Sequence, residues 1–308
     1  MYDQVAQNKR RSYLLLGGFV LVAAAVVWAF DLLLGGGGVV VPLIALVLAA
    51  GTAFFAYWKS DSVALAMSRA RPADETEYAR LHNLVEGLCV ASGLPKPRVY
   101  VVDDQAPNAF ATGRDPQHAA IAVTTGLLDK MNRVELEGVV AHELSHIKNY
   151  DILVSTLAVT LVGLVAILSD VGLRMLWWGG GRRRYSDRDQ GANAAGFVLL
   201  AIGFVLLVAS PVIAQIMKAA VGRKRESLAD MSGVEMTRYP PGLISALEKL
   251  RDDSTVVHAH SRATSHLWIE EPAPVVDSQG RVGLLNRVNA LFATHPPLEE
   301  RIAALREL

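Results

Sequence analysis

The chain reads as an α-helical membrane protein that carries an α+β domain, with a small β-sheet beside a functional helix. Three observations predict that class. Of 308 residues, 52% are hydrophobic and the mean hydropathy is +0.29, above what an ordinary soluble domain carries. The excess is gathered into four apolar runs, near 13–34, 39–58, 152–168 and 196–217, which predict about four transmembrane helices. The stretches 61–151 and 218–308 have globular composition, with alternating and helical patterns.

Lys9-Arg10-Arg11 precede the first run. A glycine turn over 35–38 leads into the second, which ends in the interface-seeking Tyr57 and Trp58. Basic residues before the hairpin, and none in its turn, place the N-terminus in the cytoplasm; Lys59, Arg69 and Arg71 agree. The first run lacks a small-residue cleavage site, so no removable signal peptide is expected. Lysine plus arginine balance aspartate plus glutamate at 30 each, which gives no electrostatic case for nucleic acid. Cys89 is the single cysteine, in an apolar helical setting, so an intramolecular disulfide and any cysteine-rich metal cluster are excluded.

In the first globular stretch, 73–91 predicts an amphipathic helix with Leu81, Leu84, Val85 and Leu88 on one face, stopping near Ser92-Gly93. Residues 98–102 and 119–124 predict strands, and 107–113 a further strand or extended edge. Asn132-x-x-Glu135 resembles a capping box opening the next helix, which is expected to run past Asp151 into the third apolar run. Five arginines lie between runs three and four. A spanning hairpin leaves them outside, against the charge rule, whereas a hairpin that is re-entrant or packed on the globular domain keeps them inside; spanning is the favoured reading. Helices are expected over 222–237, 243–251 and 298–308.

The capped helix carries His142-Glu143-x-x-His146. Positions i and i+4 share one helix face, so both imidazoles can reach one metal ion, with Glu143 beside a metal-bound water. That is the apparatus of a zinc peptidase, but so short a pattern needs support. Arg223 to Asp230 offers it: Glu226 and Asp230 stand one turn apart, Glu226 as third ligand and Asp230 as acceptor of a ligand imidazole's second N–H. An antiparallel hairpin over 152–217 would return Glu226 to the level of the histidines, about 9 Å before the apolar run. The expected organisation is a transmembrane hairpin (1–60), the first half of a zincin-like metalloprotease domain (61–151), a second apolar hairpin (152–217) and the second half (218–308).

Four stretches, in order, resemble the HtpX family of membrane zinc metalloproteases, related to the CAAX prenyl endopeptidases. They are Asn108-Ala109-Phe110-Ala111-Thr112-Gly113, Ala141 through Asp151, Arg223 through Asp230, and Thr294-His295-Pro296-Pro297-Leu298-Glu299-Glu300-Arg301. By that resemblance His142, His146 and Glu226 bind one catalytic Zn2+ and Glu143 is the base. It also implies that Asn108 and its strand bind substrate backbone, and that His295 lies near the site to stabilise an oxyanion or orient substrate. The segment Ser265-His266-Leu267-Trp268-Ile269 resembles the family's chain near the cleft, while His258 and His260 match nothing and read as loop residues.

The expected function is a multi-pass zinc endopeptidase of the cell (inner) membrane. It would cleave misfolded or membrane polypeptides on the cytoplasmic side, in protein quality control and stress response, with the lipid bilayer as its other partner. One rival is a CAAX-type processing endopeptidase, for which four apolar runs are too few to enclose a chamber. Another is a non-hydrolytic zinc transporter or sensor, whose ligands should lie inside the spans rather than just outside them. The sequence sets neither substrate nor oligomeric state.

Overall fold

The computed structural model describes residues 2–33, 38–157, 223–253, 255, 267–269 and 296–308. Most of the expected second hairpin, together with His258, His260, His266 and His295, lies outside the described residues.

Two long helices, α1 (Tyr2–Leu33) and α2 (Val40–Met67), lie against each other at the N-terminal end. Among the described residues, no helix is long and apolar enough to cross a membrane. Both helices nonetheless turn large apolar side chains outward. Leu14, Leu21 and Trp28 on α1, and Leu43, Val47 and Phe54 on α2, are each more than half exposed. The second helix runs past residue 60 and its last turns belong to the globular body.

Four strands form one mixed sheet in the order β1-β2-β4-β3: β1 (Arg71–Pro72), β2 (Arg98–Val102), β3 (Ala109–Gly113) and β4 (Ala119–Thr124). The β2–β4 pair is parallel, and the outer pairs are antiparallel. Strand alternation sorts the sheet into two faces. Val99, Val101, Ile121 and Val123 point into the main core with Leu81 and Val85 of α3 (Ala79–Ser92). Val102, Phe110, Ala120 and Ala122 meet Ala64 and Leu65 of α2 on the other face. Cys89 is buried in the main core.

The helix expected from residue 73 starts six residues later, at Ala79. Asp74 draws the Thr76 and Glu77 amides to its side chain (2.9 and 3.0 Å), and Ala73 donates to the Val99 carbonyl at 3.0 Å. A side-chain turn and a ladder bond thus take the backbone groups that a helix would need.

After β4 and the short α4 (Thr125–Lys130) comes α5 (Arg133–Lys148), opened by the expected capping box. Asn132 accepts from Val134 and Glu135, and Glu135 reaches back to the Asn132 amide at 2.8 Å. The expected continuous helix beyond it is broken. Tyr150 sits at φ 60°, a left-handed value unusual for a bulky side chain, and helix resumes over 151–157. Three C-terminal helices complete the described body: α6 (Arg223–Thr237), α7 (Pro240–Asp252), started by proline rather than at residue 243, and α8 (Leu298–Arg306).

Glycines let these helices close on α5. A Cβ on Gly138 would stand 2.8 Å from the Leu243 backbone of α7, and one on Gly233 3.1 Å from the His142 amide nitrogen. So α6 lies backbone to backbone against α5 beside His142.

Candidate active site

Helix periodicity places His142 and His146 on one face of α5, and the close approach at Gly233 brings α6 up to that face. Glu226, in the first turn of α6, joins them. His142 Nε2 lies 3.2 Å from His146 Nε2 and 3.6 Å from Glu226 Oε2, and His146 Nε2 lies 3.7 Å from Glu226 Oε1. A tetrahedral divalent ion with bonds of about 2.1 Å sets its ligand atoms about 3.4 Å apart, so this spacing fits one ion. Two imidazole nitrogens and one carboxylate oxygen converging this closely could hold a metal ion, by donor chemistry as well as by distance.

Each imidazole has a carboxylate behind it. His142 Nδ1 faces Asp230 Oδ1 at 2.9 Å, which leaves Nε2 for the metal. Asp230 is gripped in turn by Arg301 of α8, through Nε at 2.9 Å and Nη2 at 2.6 Å. Arg301 also stands 3.6 Å from Glu226, and all three side chains are buried. His146 Nδ1 faces Asp151 Oδ2 at 3.4 Å. On an unbroken helix a residue five positions on points about 140° away. The left-handed turn at Tyr150 is therefore what sets Asp151 beneath His146.

Charge states follow from this packing. Burial and Arg301 oppose protonation of His142, but hydrogen bonds to Asp230 and Glu226 outweigh them and push its pKa up to about 9 in the metal-free protein. Burial works against His146 as well, and Asp151 and Glu226 bring its pKa above the ordinary value. Burial would raise Asp230, yet Arg301 and His142 hold it below the usual carboxylate range. Glu143, next in sequence to His142 and 2% exposed, moves the other way: burial lifts its carboxyl, and the imidazoles and Arg301 pull it back only in part. A buried carboxyl lifted toward neutrality suits proton transfer.

The structure thus gathers His142, Glu143, His146, Glu226 and Asp230. Asn108 stands at the head of edge strand β3, buried, its side-chain oxygen accepting the Ala109 amide at 3.0 Å. The next outward carbonyl, that of Ala109, already accepts the Ile269 N–H at 3.0 Å, and Trp268 packs edge-on against Phe110. The expected placement of His295 falls outside the described residues. Arg301 and Asp151 carry structural roles that motif reading left unassigned. A signal existed for Arg301: it shares a helix face with Ile302 and Leu305, where an arginine is out of place unless paired.

Comparison with known proteins shows the family. The family model described as Peptidase family M48 matches residues 75–308. A protease HtpX homolog of Thermoanaerobacter pseudethanolicus is 44% identical over 308 residues, covering 100% of this chain and 98% of the relative. Those of Tropheryma whipplei (strain Twist) and Streptococcus uberis are 45% and 41% identical, covering this chain fully and 98% and 100% of their own lengths. A crystal structure of S. mikatae Ste24p aligns at 19% identity with a TM-score of 0.49, covering 99% of this chain and 67% of that one. With three side chains from two helices that could hold a metal ion, and a family model spanning most of its length, the chain belongs to Peptidase family M48 and is a metallopeptidase.

Proposed function

We propose that the protein is a membrane-bound, zinc-dependent endopeptidase that cleaves misfolded or membrane proteins on the cytoplasmic face, as part of protein quality control. One observation carries the chemistry: three ligand atoms from α5 and α6 lie 3.2 to 3.7 Å apart, with a buried carboxylate beside them. His142, His146 and Glu226 would hold the ion, and Asp230 would keep His142 in the binding tautomer. When bound, zinc polarises the scissile carbonyl and acidifies the attacking water. Glu143 takes that water's proton and delivers it to the leaving amine. The outward apolar side chains of α1 and α2 support membrane attachment, since patches of this kind mark lipid or partner contact. Lys9, Arg10 and Arg11 ahead of the first apolar run support a cytoplasmic site.

An extended substrate segment adds to β3 in this reading, with Asn108 at the entry. Because Ile269 holds the Ala109 carbonyl, an incoming strand takes that carbonyl only by displacing residues 267–269. Casein hydrolysis by detergent-solubilised protein tests the chemistry. Chelation should stop it and zinc restore it, and Glu143→Gln should lower it by about 10²–10⁴-fold with zinc still bound. Turnover that survives either treatment sinks the mechanism. Hydrolysis of casein added to inside-out vesicles, but not to right-side-out ones, tests the sidedness.

A further inference from the structure

The first helix reaches the metal site. Asn8, eight residues from the chain start and 4% exposed, is buried among residues more than 140 positions away. Its amide donates to the Asn149 carbonyl at 2.8 Å and to Asp151 Oδ1 at 2.7 Å, and its oxygen accepts from Arg225 Nη2 at 3.0 Å. A carboxamide has two N–H donors and one acceptor oxygen, and here every one of them is used. The partners are not arbitrary. Asn149 and Asp151 flank the left-handed turn that follows the histidine helix, and Arg225 immediately precedes Glu226. Asn8 therefore bridges the two stretches that must meet to form the ligand set.

We propose that Asn8 is a positioning residue for the metal site, holding Asp151 in the place from which that carboxylate orients His146. The Asn8 amide stands 2.7 Å from Asp151, against 3.6 Å for Arg225 Nε and 3.4 Å for His146 Nδ1. Removing it frees the carboxylate to turn toward the Arg225 guanidinium and away from the imidazole. The same side chain spaces Arg225 from Asp151 by accepting one of its N–H groups. Lys9, over the Tyr150 ring at 4.3 Å, fixes the turn from the next position of α1. The first helix is on this view a structural member of the catalytic centre as well as the carrier of exposed apolar side chains. The inference rests on the reading of His142, His146 and Glu226 as metal ligands.

The test is zinc affinity, measured by competition with a chelating dye on the full chain in detergent. Asn8→Ala should weaken binding about 10- to 100-fold, the range expected for a group that orients a ligand. Asn8→Asp keeps the volume and the acceptor but replaces both donors with a charge that repels Asp151. It should weaken binding at least as much, and it serves if Asn8→Ala does not fold. Ser12→Ala, which breaks a buried bond to the Asn8 carbonyl on the same helix, should leave affinity unchanged. In an Asp151→Asn background, Asn8→Ala should add little, because both act on one link. Wild-type affinity in Asn8→Asp, equal weakening by Ser12→Ala, or additive effects of Asn8→Ala and Asp151→Asn would each overturn the proposal. His142→Ala is the reference: if it binds zinc like the wild type, the ligand assignment itself has failed.

Discussion

The two histidines of α5 are supported in unlike ways. Behind His142 stands a charged stack: Asp230 at 2.9 Å, doubly gripped by Arg301, with all three side chains buried. Behind His146 the contact is longer, 3.4 Å to Asp151, and that carboxylate is held by the Asn8 amide at 2.7 Å with the Arg225 guanidinium 3.6 Å away. The first support comes from the C-terminal helices and the second from the N-terminal one. A stack of formal charges deep in a protein is rigid but intolerant, since losing one member strands another without compensation. An amide-centred support tolerates more and transmits more, because the amide that holds the carboxylate is neutral and its anchor belongs to a different element. One ligand is thus fixed within the catalytic body, and the other is adjustable from outside it.

That contrast is open to direct attack, and the largest effect is expected at Arg301. Arg301→Ala removes the guanidinium that grips Asp230 twice, leaves that buried carboxylate to the His142 imidazole, and should cost about 3–5 kcal/mol in a chemical denaturation series. A loss no larger than that of Asp151→Asn would erase the distinction between the two supports.

Next comes the pH dependence of the metal-free protein. His142 has a folded pKa of about 9 against an ordinary 6.5. Protonation therefore favours the folded state fully below pH 6.5, and that contribution is lost as pH rises toward 9. The melting temperature of chelated protein should fall across that window, and the apparent zinc affinity should rise across it as the competing proton leaves. Asp230→Asn should flatten both trends more than Asp151→Asn does. Equal flattening by the two variants breaks the comparison.

A smaller change tests how α6 is seated. Gly233→Ala forces a Cβ to within 3.1 Å of the His142 amide nitrogen and 3.2 Å of its Cα, so α6 must shift by a few tenths of an ångström. Overpacking of this kind costs about 1–3 kcal/mol, and it should weaken zinc binding because Glu226 and Asp230 ride on the same helix. Unchanged binding in isothermal titration would mean that the close approach does not place the ligand.

The smallest effect is expected at the sheet edge. Ile269→Pro removes the N–H that occupies the Ala109 carbonyl. It keeps the Ile269 carbonyl, which lies 3.4 Å from Arg301. Losing one hydrogen bond of about 0.5–1.5 kcal/mol should lower KM for an unstructured peptide roughly 2- to 10-fold, with kcat little changed. A raised KM would make residues 267–269 part of the substrate platform instead of an occupant of it.

How much of this was legible in the sequence follows from which interactions are local. The histidine pair, the capping box and the Glu226–Asp230 pair each lie within one helical turn, so spacing alone reveals them. The strands at 98–102 and 119–124 declare themselves by apolar, β-branched content. The late start of α3 did not, because one aspartate side chain decided it against a good helical pattern. The role of Asp151 was hidden for a sharper reason. It depends on a single left-handed residue, and an unbroken helix would have pointed that carboxylate elsewhere. Asn8 was illegible altogether, since its partners are separated from it by 141, 143 and 217 positions.

Cys89 makes one more use of the chain possible. Burial pushes its thiol up to about 11, so near neutral pH only about one molecule in ten thousand carries the reactive thiolate. It is also the single sulfhydryl in 308 residues. Alkylating reagents therefore meet an almost silent background in the native protein. A cysteine placed at exposed Tyr13 or Val39 would be labelled alone, with the wild-type core intact, and its reactivity from either side of a sealed vesicle would map the side on which the first and second apolar runs begin.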